Sequence, residues 1–113
     1  MQVNIKVIVL HLDLNTNCHY CLLENNELPT CTLDTPDVPG ALQVLLIDYL
    51  EIDPEWVSFY LIEAVGENAS LSLVYTCMIP SIIKNKKGTW INIGDIEDEI
   101  IKTTLFQAIH KIV

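Results

Sequence analysis

The chain has 113 residues, half of them apolar, and fifteen acidic side chains against six basic ones give a formal charge of −9. That length holds one domain, residues 1–113, with enough material for a real core and no need of disulfide or metal staples. The charge argues against generic binding to nucleic-acid backbones or anionic membranes. The longest unbroken apolar runs, Val7–Leu10, Val44–Ile47 and Phe59–Ile62, reach only four residues, whereas a membrane helix needs about twenty.

In chain order, Val3, Ile5, Val7 and Val9 share one parity while Ile8, Leu10 and Leu12 share the other. Residues 3–12 therefore read as a strand apolar on both faces, central to a sheet. The amino terminus alternates in this way and has no basic cluster ahead of an apolar core. No export signal is expected, and the location is read as intracellular, in the cytoplasm. The segment Asp13–Asn17 turns the chain, residues 18–24 return as a second strand, and Asn25-Asn26 breaks it. A short extended piece follows around Thr30–Leu33. A Pro-rich loop then leads to Asp37, the expected N-cap of a helix, with Pro39 tolerated in the first turn.

From Gly40 to Ile52 the only polar positions are Gln43, Asp48 and Glu51, which predicts a helix buried on most sides. Asp53-Pro54 should stop it, because the residue before proline avoids helical angles, and Asp53 is placed to cap a short turn through Glu55 and Trp56. Residues 57–65 and 70–79 read as an antiparallel hairpin turning at Gly66-Glu67-Asn68. Pro80 closes it, a loop carrying Lys84, Lys86 and Lys87 runs to Gly88, and Thr89–Ile93 makes a last strand with Trp90. Asp95 is the expected cap of a terminal helix, acidic at its start and carrying Lys102, His110 and Lys111 towards its end. Its buried stripe is read as Ile96, Ile100, Leu105/Phe106, Ile109 and Ile112/Val113.

Strand, strand, short strand, helix, hairpin, strand and helix make an α+β order in which two helices cover one sheet. This order resembles the Nudix hydrolases over nearly the whole chain. Leu28-Pro29 stands where that family has Leu-Pro-Gly-Gly, and TWINIGDIED resembles its closing tryptophan strand and helix start. The resemblance implies a Nudix-like mixed β-sheet packed between helices. It also implies a catalytic helix whose glutamates hold Mg²⁺ or Mn²⁺ and activate water to cleave nucleoside diphosphate derivatives.

Laying Leu28-Pro29 on the family's Leu-Pro puts Leu46, Tyr49 and Leu50 where the three box glutamates belong, Thr30-Cys31 on the Gly-Gly and Asp37 near the upstream glutamate. The box arginine has no counterpart, since all six basic residues are lysine. Hard cations need several clustered oxygen ligands. The expectation is therefore a domain with no catalytic, metal-ligating or cofactor-binding residues that acts as a binding or protein-interaction module, through a protein partner or by self-association. The alternative is a divergent metal-dependent pyrophosphohydrolase using Asp37, Asp48 and Glu51.

The cysteines offer other chemistries. Cys18-His19-Tyr20-Cys21 has zinc-knuckle spacing that Cys31, Cys77 or His11 would complete, but a strand through 18–24 sends Cys18 and Cys21 to opposite faces. A redox CxxC belongs at a helix start, and here β-like residues follow. Cys31 or Cys77 with His11 or His110 makes a nucleophile pair on composition alone, for which buried structural thiols are the simpler reading. Asn68-Ala69-Ser70 is a glycosylation triplet only on a secretory route.

Overall fold

The computed structural model describes residues 2–34, 37–79 and 85–112. Its spine is β1 (Gln2–Asp13), buried through most of its length. The two-parity pattern explains its place: Val3, Ile5, Val7 and Val9 enter one core layer, and Ile8 and Leu10 enter the other. One side of β1 pairs in parallel with β5 (Ser70–Met78), in the register Gln2↔Ser70 to Leu10↔Met78. On its other side, the C-terminal half pairs antiparallel with β2 (Cys18–Leu23) and the N-terminal half with β3 (Thr30–Leu33). β4 (Tyr60–Glu67) and β6 (Thr89–Asn92) close the edges, giving a mixed sheet of six strands in the order β4-β5-β1-β2-β6, with β3 beside β1.

Asn25 and Asn26 both adopt positive φ, 53° and 64°, between the paired residues Glu24 and Glu27. That left-handed pair is what a two-residue hairpin turn with the right twist requires, and asparagine tolerates it. The Leu28-Pro29 step then shifts the chain from one half of β1 to the other, with the buried Pro29 carbonyl accepting the Val7 N–H at 3.0 Å.

Helix α1 (Val38–Tyr49) begins as expected, with Asp37 Oδ1 accepting the Gly40 N–H at 3.2 Å. It ends three residues before Ile52. Leu50 is extended and fully buried, and its N–H still reaches the Leu46 carbonyl. The helix is also less buried than its composition predicts. Leu42, Leu45, Leu46 and Tyr49 face the sheet, whereas Val44 and Ile47 on the outer side are 61% and 40% exposed. Asp53 caps the short turn Pro54–Trp56 through the Glu55 N–H, as read from the sequence.

The hairpin of β4 and β5 is antiparallel, but it turns one step later than expected: Gly66 and Glu67 belong to β4, and Asn68 takes the positive φ of 54°. Helix α2 (Glu99–Ile112) also starts later. Asp98, not Asp95, accepts the N–H groups of Ile100 and Ile101, while Asn92 caps a separate turn over Ile93–Asp95. With that shift the buried stripe becomes Ile101, Leu105, Ala108 and Ile109, leaving Ile100 80% and Phe106 49% exposed. The expected contributions of Pro80, Lys84, Val113 and the Ile112 side chain lie outside the described residues.

Two cores result, one on each face. The first gathers the odd-numbered β1 residues, Leu22, Leu73, Cys77 and Ile79 under α1; the second gathers Ile8, Leu10, Cys21, Leu23 and Leu105 under α2. The sheet is packed between helices. Among the described residues no helix is long and apolar enough to cross a membrane.

Candidate functional site

The C-terminal end of α1 is where the sequence resemblance places catalytic carboxylates. Leu46, Tyr49 and Leu50 there are 2%, 6% and 0% exposed, and all three belong to the core over Val7, Val9, Leu22 and Ile79. A helix end has unpaired carbonyls, and this one is met by the loop before β6. The Lys86 N–H donates to the Tyr49 carbonyl at 2.6 Å, and Asn85 pairs with Leu50. Lys87 Nζ stands 4.6 Å from the Tyr49 ring centroid. Desolvation, followed by the charges of Glu24 and Asp48, raises the Tyr49 phenol above its ordinary value, so the ring carries a neutral hydroxyl.

The same loop is held to β2. Asn85 Nδ2 donates to the Gly88 carbonyl, and Gly88 has φ +84° with Leu23 O only 3.1 Å from where a Cβ would sit. Glycine is needed there for both reasons. Beneath it, His11 donates from Nδ1 to the Ile79 carbonyl at 3.0 Å and meets Trp90 edge-on, ring centroids 6.2 Å apart. Among the described residues, the buried Trp90 Nε1 and His19 Nε2 atoms have no hydrogen-bond partner.

The alternative carboxylate set does not assemble. Asp37 and Asp48 line a hollow between α1 and β3 with Cys31, Leu33 and Val44, but Glu51 is outside it. Asp37 Oδ1 is already taken by the helix start. Among the described residues no three His, Cys, Asp or Glu side chains converge as metal ligands. Two carboxylates in an apolar hollow do not fit a hard cation that takes six or more oxygens.

The cysteines are equally dispersed. Cys21 and Cys77 are buried on opposite faces of the sheet, and burial pushes each thiol up to about 12, with Cys21 adding to the shift at Cys77. Such thiols hold their protons at neutral pH and are poor nucleophiles. Cys18 donates to the Thr16 carbonyl at 3.4 Å, Cys31 is half-buried beside α1, and His110 is exposed on α2.

The contact of Lys87 with Tyr49, and the docking of the loop behind it, were not foreseen. The available signal was a helix with no glycine after its last turn, so that its carbonyls needed an outside donor.

Compared with solved structures, the chain superposes on the NUDIX domain of Shewanella oneidensis NrtR complexed with ADP ribose, with TM-score 0.67 and 13% identity over 98% of this chain and 88% of that one. The fold is Nudix-like. C. elegans Ap4A hydrolase matches with TM-score 0.66 and 11% identity over 98% of each chain. The C-terminal domain of mouse MUTYH, seen in complex with human PCNA, matches with TM-score 0.67 and 13% identity over 98% and 88%. No protein-family model matches the chain, and no curated protein matches it in sequence. The Nudix-like architecture is thus shared with these proteins at low sequence identity.

Proposed function

We propose that this Nudix-like domain binds without hydrolysing, as a cytoplasmic module that works through contacts with protein. The observation supporting this reading is the burial of Leu46, Tyr49 and Leu50 in the core beneath α1. A metal-dependent phosphorus displacement needs oxygen ligands clustered on one open face. Here the last turn of α1 carries Leu46 and Tyr49, the extended Leu50 follows, and a loop hydrogen-bonds across that end. The formal charge of −9 favours protein over nucleic acid as the partner. The test is a panel of nucleoside diphosphate derivatives with Mg²⁺ or Mn²⁺, alongside Mn²⁺ titration. No turnover and no Mn²⁺ binding at about millimolar metal are expected. Turnover lost in Asp48→Ala and Glu51→Ala would instead establish the divergent pyrophosphohydrolase.

A further inference from the structure

We draw no further inference here: the strongest candidate, the apolar hollow between α1 and β3 walled by Cys31, Leu33, Ala41, Val44 and Leu45, is an unpartnered face, and nothing in the structure shows what covers it.

Discussion

The Lys87 ammonium sits 4.6 Å from the centre of the Tyr49 ring, at the helix end where the Nudix resemblance would place metal-binding carboxylates. The contact joins a loop to a helix whose last carbonyl is already held by Lys86. With the lysine itself exposed to water, a cation over an aromatic face is worth about 0.5–1 kcal/mol. Lys87→Ala should cost about that much in urea denaturation, and Lys87→Arg should cost less. Equal losses in both would show that the ring contact contributes nothing.

Placing glutamate where the Nudix resemblance puts it should damage the fold before it creates a site. Leu46 and Leu50 are buried among apolar groups, and a buried unpaired carboxylate is among the most costly substitutions in a core. Leu46→Glu should leave the chain largely unfolded or bind Mn²⁺ no better than wild type. Leu50→Ala, which removes volume without adding charge, should cost about 2–5 kcal/mol. Thermal melts and Mn²⁺ titration check both, and a stable Leu46→Glu protein with tight Mn²⁺ binding would show an open site at that helix end.

The buried thiols predict a loss of stability in alkali. Cys21 and Cys77 are raised from 9.0 to about 12 in the folded chain, by desolvation first. Unfolded thiols ionise from about pH 9 while the native ones keep their protons. The stabilisation is therefore fully present below pH 9 and is lost as pH rises to about 12, by roughly 1 kcal/mol per pH unit for each thiol. Denaturation midpoints measured under reducing conditions should be level near neutrality and fall through that window. Cys21→Ala and Cys77→Ala should each flatten the fall.

The start of α2 separates two acidic residues that look alike in sequence. Asp98 Oδ1 accepts from Ile100 and Ile101, at 2.9 and 3.2 Å, whereas Asp95 precedes the helix. Asp98→Ala should cost about 1 kcal/mol and Asp95→Ala much less. The reverse order in denaturation would place the cap at Asp95.

Much of the architecture was legible because local patterns and packing agree. The two apolar parities of Val3–Leu10 placed β1 at the centre, and Asn25-Asn26 marked a turn that only left-handed residues make. The end of α1 was not legible. Leu50 leaves the helix into the core, and partners from Asn85 and Lys86, more than thirty residues away, hold it there. Nor did composition show which side of α1 would be covered: Val44 and Leu45 are equally apolar, yet only Leu45 reaches the sheet. At the candidate site, Leu46, Tyr49 and Leu50 could be placed from the Leu-Pro step; the missing glycine signals that the helix end needs a donor, but that the lysine loop supplies it is a tertiary contact no local pattern names.

The most direct measurement is turnover of nucleoside diphosphate derivatives by the purified chain with Mg²⁺ or Mn²⁺, with Asp48→Ala and Glu51→Ala as controls. A chain that ends α1 with Leu46 and Tyr49 and follows it with the buried Leu50 should release no product above background with any substrate. Metal-dependent product release that disappears in the two variants would contradict the non-hydrolytic reading.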